Sequence, residues 1–266
     1  MPIMKNYLLA AIAAGWLACA AAAPAADWTT TGNVTLVSDY IFRGISQTQH
    51  RPTWQMGLEA AHASGWYVGT FGSGVSNAAY TNSSGAEIDL YGGWRGDFGA
   101  AGNVDLGVVT YWYPGARYVG GDGATIHFHT QELKAAYNYG TFNVTGWVSP
   151  DTSWFGIAYD PNTGERRDTA GTAYVEANWN PALADALTLN LHVGAQRFQG
   201  VGAYDFDDAK IGLTYVIGHW SLAAAVTHND GRVTQDGKPV WTFFDADGTG
   251  RNVAGTRALL TAADGV

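Results

Sequence analysis

From residue 33 onward, hydrophobic and polar residues alternate in one short segment after another. In NVTLVSDYIF, Val34 and Leu36 alternate with Thr35, and in LTLNLHVGAQ, Leu189 and Leu191 flank Asn190. Successive side chains of a β-strand point to opposite faces, so each segment predicts a strand with one apolar and one polar face. The predicted strands are 33–43, 53–62, 65–74, 87–95, 103–112, 131–139, 141–149, 173–180, 187–196, 208–216, 220–226 and 253–262.

The links between these segments alternate in length. The first three pairs of long and short links are GISQTQHRP and ASG, SNAAYTNSSGA and GDFGAAG, and PGARYVGGDGATIHFHT and YG. Outer-membrane barrels have long extracellular loops, short periplasmic turns and strands of about 9–11 residues. The chain therefore predicts an all-β fold, namely an antiparallel transmembrane β-barrel of about twelve strands. A soluble β-sandwich alternates in the same way, but it has no reason to keep this rhythm of loop lengths.

Aromatic residues at the strand ends agree with a membrane barrel. Two aromatic girdles border the apolar band of such barrels. The predicted interface residues are Tyr40, Phe42, Trp54, Trp66, Trp94, Trp112, Tyr137, Trp179 and Trp220.

The polar faces of the strands are predicted to line the lumen. Rings of charged side chains set the selectivity of a pore, and an acidic excess favours cations. We expect a narrow, weakly cation-preferring lumen, with Asp39 and Arg43 as the strongest candidates near the outer mouth. The alternative is that these charges pair across the lumen and seal it. The predicted lumen residues are Asp39, Arg43, Glu59, Glu87, Asp89, Arg95, Asp105, Glu132, Lys134, Glu176, Asp208 and Lys210.

The composition changes this picture little. Charged residues make up 14% of the chain, against about 25% in ordinary globular proteins, so the chain is short of charge for a surface in water. The formal net charge of −9 argues against a nucleic-acid surface.

The N-terminus has the pattern of a secretory signal peptide. Lys5 precedes an apolar run that ends in small residues, which predicts a signal peptide over residues 1–25 with cleavage after Ala23 or Ala25. Cys19 would also permit a lipoprotein anchor, although the three residues before it make a poor lipobox. Residues 26–266 are then predicted to form a single barrel domain that lies in the outer membrane of a Gram-negative cell.

One stretch carries a family resemblance. SDYIFRGISQT, with EIDLYGGW, DLGVVTYWYPG and LNLHVGAQ further on, resembles the TorF-family putative porins of proteobacteria. This resemblance implies a barrel in the outer membrane with a channel role, and it brings no functional residues with it. Barrels of this kind usually end in a C-terminal aromatic, whereas this chain ends in RALLTAADGV. The expectation is either an unorthodox closing strand or an altered or truncated C-terminus.

Other chemistry has weaker support. His127 and His129 share one face, but no third metal ligand is placed, and the calcium-like DADGTG carries Thr256 where the bidentate Glu belongs. His192 lies on a polar face without a serine partner that the sequence can place, so no enzyme is predicted.

The pattern as a whole predicts a passive channel for small hydrophilic solutes or ions. No cofactor or metal is expected, and the expected partners are outer-membrane lipid, the solutes and the barrel-assembly machinery. A non-conducting barrel, with a structural role or with loops that bind a partner, is the alternative.

Overall fold

The computed structural model describes residues 27–245 and 247–265. The predicted signal peptide, residues 1–25, lies outside the described residues. No helix in the described ranges is long and apolar enough to cross a membrane.

Twelve antiparallel strands form a closed barrel, as predicted. Strands β1 to β12 are paired in chain order, and β12 pairs with β1 to close the ring. The wall strands are β1 (Trp28–Val37), β2 (Thr53–His62), β3 (Trp66–Gly74), β4 (Ala86–Asp97), β5 (Asn103–Trp112), β6 (Thr130–Tyr139), β7 (Phe142–Val148), β8 (Ala173–Trp179), β9 (Leu187–Arg197), β10 (Phe206–Ile217), β11 (Trp220–Asn229) and β12 (Arg257–Gly265).

Short turns lie at one end of the barrel and long loops at the other, which confirms the predicted rhythm. The long loops carry small hairpins of their own, and two single-turn 3-10 helices occur in the connections. These elements are Ile41–Phe42 with Ile45–Ser46, Arg117–Val119 with Thr125–His127, Thr234–Gln235 with Lys238–Pro239, Thr242–Phe244 with Gly250–Asn252, the strand Ala182–Ala184 beside β9, and the 3-10 helices Gly99–Ala101 and Gly202–Tyr204.

The two faces of the wall differ as the alternation requires. Leu58 and Leu90 are 52% and 64% exposed on the outer face, whereas Gln55 and Glu87 on the inner face are almost fully buried. An apolar outer wall around a polar interior is the reverse of a soluble barrel. Such a surface fits hydrocarbon rather than water.

The first strand is shorter than the sequence predicts. The alternation runs on through Tyr40 and Phe42, but β1 ends at Val37 and the chain then turns into the barrel. Tyr40 is buried and Phe42 half-buried inside, so their placement in the outer aromatic girdle is wrong. Their apolar rings find partners in Phe71 and Tyr111 of the inner wall.

The other predicted girdle residues lie on the outer face. Trp54 and Trp112 are exposed at the long-loop end, and Trp66, Tyr137, Trp179 and Trp220 are exposed near the short turns. Trp94, also near a short turn, is half-buried and donates its indole N–H to the carbonyl of Ser64 at 3.1 Å.

The closing strand forms without a terminal aromatic. Its residues are Arg257–Gly265, a few positions later than predicted, and it pairs with β11 on one side and β1 on the other. The backbone of every wall strand therefore has neighbours on both sides.

Aromatic side chains of the long loops form a core above the wall. Tyr80, Phe128, Trp154, Phe155 and Trp241 are each less than 10% exposed. The long loops consequently pack on one another and over the mouth of the barrel.

Candidate functional site

The chain between β1 and β2 enters the barrel interior, and residues 38–52 are called the inserted loop below. The hairpin of Ile41–Phe42 and Ile45–Ser46 turns through Arg43 and Gly44, whose φ angles are 49° and 75°. Positive φ at both central residues is the geometry of a type I′ turn, which follows the natural twist of the strands. The tip of the inserted loop is therefore a tight, well-defined turn.

Asp39 fastens the base of the inserted loop. Its carboxylate accepts hydrogen bonds from the hydroxyls of Ser46 at 2.6 Å and Thr48 at 2.7 Å, and it lies 3.1 Å from Nδ1 of His50. The Thr48 hydroxyl in turn accepts the backbone N–H of Tyr40. Asp39 thus ties both arms of the loop together, in addition to its predicted inward position.

Arg43 lies at the tip of the loop, and its side chain reaches across the lumen. Its guanidinium makes a bidentate pair with Glu132 of β6, at 2.6 and 2.9 Å, and donates to Oε1 of Gln196 of β9 at 2.8 Å. The ring of Tyr174 lies 4.3 Å away, on β8. In the order of the wall, β6 to β8 lie opposite β1, so the loop spans the interior from one side to the other.

Glu132 is the fixed partner that receives Arg43. Its carboxylate also accepts the hydroxyl of Tyr111 at 3.1 Å and the indole N–H of Trp154 at 3.0 Å. The side chains of Arg43 and Glu132 are 5% and 0% exposed. Burial alone would lower the pKa of Arg43, but the charge of Glu132 outweighs it, and the pKa lies above its ordinary value. Arg43 therefore keeps its charge in a site that is shielded from water.

The other side of the tip lies directly against the wall. The amide of Asn229 donates to the carbonyl of Arg43 at 3.0 Å. A Cβ atom at Gly44 would lie 2.8 Å from the Cβ atoms of both Asn229 and Asp208. Only glycine fits here, because position 44 combines positive φ with this close approach.

A second group of contacts joins the loop to β4. The hydroxyls of Tyr40 and Tyr113 donate to the two oxygens of Glu87 at 2.7 and 2.6 Å. Burial, followed by the nearby charge of Glu87, raises the pKa of Tyr40 well above its ordinary value, so the phenol keeps its proton and donates. Asp89, two residues along the same face, is 1% exposed, and neither of its oxygens has a hydrogen-bond partner within standard distance in the described residues.

Charged residues nearer the short turns form a paired network. Arg95 contacts Glu59 at 2.6 Å and Asp105 at 3.3 Å, and Lys134 contacts Asp105 at 2.7 Å. The hydroxyl of Tyr67 donates to the other oxygen of Asp105 at 2.7 Å. The network cross-links strands β2 to β6 inside the barrel.

A third network surrounds His192. Its Nε2 lies 2.8 Å from Asp208 and its Nδ1 lies 2.8 Å from the amide oxygen of Asn178, with Glu176 at 3.6 Å. Both ring nitrogens are therefore occupied by neighbouring wall residues. Lys210 is directed inward on β10 close to the charges of Glu176 and Asp208.

The structure thus places the predicted lumen residues in separate groups around Asp39, Glu132, Glu87, Arg95 and His192. It adds a set of inward tyrosines that the sequence prediction missed. Tyr67, Tyr111, Tyr113 and Tyr174 supply hydroxyl donors to the interior carboxylates. The alternation in the sequence indicates the inward position of two of these tyrosines, Tyr111 and Tyr113. In YWY, the outward Trp112 requires both flanking tyrosines to point inward.

The two histidines considered as a chelate stack on one another, with ring centroids 5.7 Å apart. In the described part of the chain, no group of three or more His, Cys, Asp or Glu residues is arranged to hold a metal ion.

Comparisons with known proteins give a family and a fold. The model of a bacterial protein family of unknown function (Gcw_chp) matches residues 21–247. A search of the curated proteins found no match. Among solved structures, the NanC porin aligns over 89% of this chain and 98% of its own, with a TM-score of 0.51 and 9% identity. At that identity the likeness shows the fold alone.

Two further structures align less closely. The KdgM porin covers the same shares of the two chains, with a TM-score of 0.48 and 8% identity. An outer membrane channel from Pseudomonas putida F1 aligns over 89% of this chain and 94% of its own, with a TM-score of 0.43 and 13% identity.

Proposed function

The chain belongs to the Gcw_chp family, and from the apolar wall and polar interior of its closed barrel we propose that it is a porin-like channel of the outer membrane. The observation that carries this proposal is the reversed polarity of the wall, with residues such as Leu58 and Leu90 exposed outside and Glu132 and Asp105 buried inside. The resemblance of SDYIFRGISQT to the TorF-family putative porins points the same way. The partners of such a protein are outer-membrane lipid, its solutes and the barrel-assembly machinery, and export would use the predicted signal peptide.

The inserted loop makes this a narrow channel. Arg43 joins the inserted loop to β6 and β9 through Glu132 and Gln196, and these three side chains occupy the interior at their level. Diffusion through the barrel would then be limited to small solutes that pass beside the loop, or to moments when its tip releases Glu132. Transport through such a pore is passive.

We also propose a preference for cations. Arg43, Arg95 and Lys134 each contact a carboxylate, whereas no ion pair in the described residues joins Glu87 or Asp89 to a basic side chain. Among the predicted lumen residues, the inward carboxyls also outnumber the inward basic side chains by eight to four, and this acidic excess favours cations.

Single-channel recording in a planar bilayer tests both proposals. The protein is refolded in detergent and its folding is checked by heat-modifiable gel migration. We expect small discrete steps, and a reversal potential across a salt gradient that indicates cation preference. Asp208→Asn should reduce that preference, whereas Asp236→Asn, which removes the same charge from an exposed loop, serves as a control outside the lumen. Anion preference in the wild type would overturn the acidic-lumen proposal and leave the channel proposal standing.

A barrel that does not conduct is the second candidate. It is favoured by the near-complete burial of Glu87, Glu132 and Gln196, which is typical of a filled interior. If a verifiably folded sample shows no conductance in the bilayer, the result would support this candidate and exclude the channel. The long loops would then carry the function.

A further inference from the structure

The long loops enclose a cavity of about 270 Å³ over the mouth of the barrel, called the vestibule below. Aromatic and aliphatic side chains dominate its lining, and they come from all six long loops. Examples are Phe42, Tyr80, Phe128, Phe155, Tyr204 and Trp241. Thr81 at its edge is exposed, so the vestibule reaches the outer surface.

The rings that line the vestibule hold one another in place. Phe155 lies 5.7 Å from Phe42 and 4.9 Å from Tyr111 between centroids, and Tyr204 packs edge-on against Trp241 at 5.5 Å. These are favourable separations for aromatic pairs. The vestibule is therefore a preformed site, and a ligand does not have to order its walls on binding.

Most polar groups of the lining already have protein partners. The hydroxyl of Tyr118 donates to the carbonyl of Gly156 at 2.8 Å, and the indole N–H of Trp241 donates to the carbonyl of Tyr204 at 3.2 Å. The amide of Gln47 is engaged twice, since its Nε2 donates to the carbonyl of Ile45 and its Oε1 accepts the hydroxyl of Tyr80. The hydroxyl of Tyr159 donates to Asp122 at 2.6 Å.

Because these polar groups are already hydrogen-bonded, the vestibule suits an apolar ligand better than a polar one. A sugar would lose its hydrogen bonds to water and find few free donors or acceptors in exchange. A flat aromatic molecule loses little on leaving water and gains ring contacts on several sides. An apolar cavity of about 150 Å³ takes up benzene, so the vestibule has room for one or two rings.

We propose that the vestibule binds a small, uncharged aromatic molecule of one or two rings. Phe42 lines the site, and the guanidinium of the next residue, Arg43, lies 4.7 Å from the Phe42 ring while it closes the lumen. The bound molecule thus contacts the element that obstructs the barrel. That this molecule is also the solute rests on the proposed channel function, whereas binding itself does not.

Isothermal titration of the refolded full-length chain with indole tests the proposal, with glucose as a polar molecule of similar size and detergent alone as the blank. We expect saturable binding of indole at one site, and no binding of glucose. Ala78→Trp places a large ring in the lining and should weaken indole binding by about tenfold or more. Ala184→Trp makes the same change on an exposed residue at the short-turn end and should leave binding unaltered.

Three results would overturn the assignment: glucose binding as tightly as indole, no saturable binding of indole to folded wild-type protein, or equal binding by the wild type and the folded Ala78→Trp variant. Bilayer recordings separate this proposal from the channel proposal. A silent barrel that still binds indole would exclude the channel and keep the vestibule. A barrel that conducts but does not bind indole would keep the channel proposal and exclude the vestibule proposal.

Discussion

At the scale of single residues, the ion pair between Arg43 and Glu132 is the contact on which the obstruction of the lumen depends. Both side chains are almost completely buried, and four N–H and O–H groups converge on the one carboxylate. A buried pair of this kind stabilises little in total, because both ions lose their hydration, but removal of one partner leaves an uncompensated charge.

Glu132→Gln should release the tip of the inserted loop. The glutamine keeps the size of the side chain but leaves the guanidinium of Arg43 buried without its counter-charge, at a cost of about 3–5 kcal/mol in the free energy of unfolding. We expect a larger single-channel conductance and a lower urea midpoint in lipid vesicles. In the double variant with Arg43→Met the charge is gone, so most of the stability should return. A Glu132→Gln variant as stable as the wild type would contradict this account of the pair.

Gly44 is the second residue whose chemistry is fixed by its surroundings. Gly44→Ala should destabilise the inserted loop by more than the backbone strain of about 1–2 kcal/mol, because the new methyl group meets Asn229 and Asp208. Gly140→Ala is the matched control, since Gly140 also has positive φ but no atom lies within 4 Å of its Cβ position. Urea unfolding of both variants measures the difference, and equal losses would show that the tip does not press against the wall.

At the scale of elements, the inserted loop is separable from the wall. In the described residues its hairpin forms no β-ladder with a wall strand, and its backbone bonds outside the loop go to the Asn229 side chain and to Val253 of a long loop. The wall strands on either side pair with their own neighbours. Replacement of residues 41–46 by Asn-Gly should therefore leave a heat-modifiable, folded barrel. We expect conductance to rise and the discrimination between small and large solutes to fall, which liposome swelling with sugars of increasing size would measure. An unchanged size limit would place the constriction elsewhere in the barrel.

The wall strands could be predicted from the sequence because each obeys a single rule. Alternation sets the two faces of β2 or β9, and the rule depends only on neighbours along the chain. The same rule does not predict the inserted loop. Tyr40 and Phe42 keep the spacing of an outward face, but their partners Glu87 and Phe155 are distant in the sequence. Alternation cannot tell an apolar face that meets lipid from one that meets other aromatic rings.

The candidate site was predictable in its members but not in their pairing. Glu132 is inward because it lies on the polar face of β6, whereas Arg43 lies inside because the inserted loop turns into the barrel. Nothing local indicates that these two residues meet across the lumen. The vestibule was missed altogether, because its lining comes from loops without any periodic pattern.

At the scale of the whole molecule, the apolar outer wall is the property that distinguishes a membrane barrel from a soluble one. Leu90 is 64% exposed in the middle of β4, while Val119 is 70% exposed in a long loop. Leu90→Arg should cost about 2–4 kcal/mol if that surface faces hydrocarbon, and Val119→Arg should cost little. The folded fraction in lipid vesicles measures both. A neutral Leu90→Arg would mean that this surface faces water.

The way the ends of the chain meet sets an order of assembly. The inserted loop follows β1, the strand that forms the final seam with β12, yet its tip is held by Glu132, Gln196 and Asn229 from β6, β9 and β11. Contacts between such distant parts of a chain form late, because each requires a large loop to close. We therefore expect the wall strands, most of which pair with their neighbours in the chain, to join before the tip of the inserted loop is fixed. Of these contacts, the one with Asn229 spans the longest stretch of chain, so we expect the obstruction to be completed only after β11 has joined the wall.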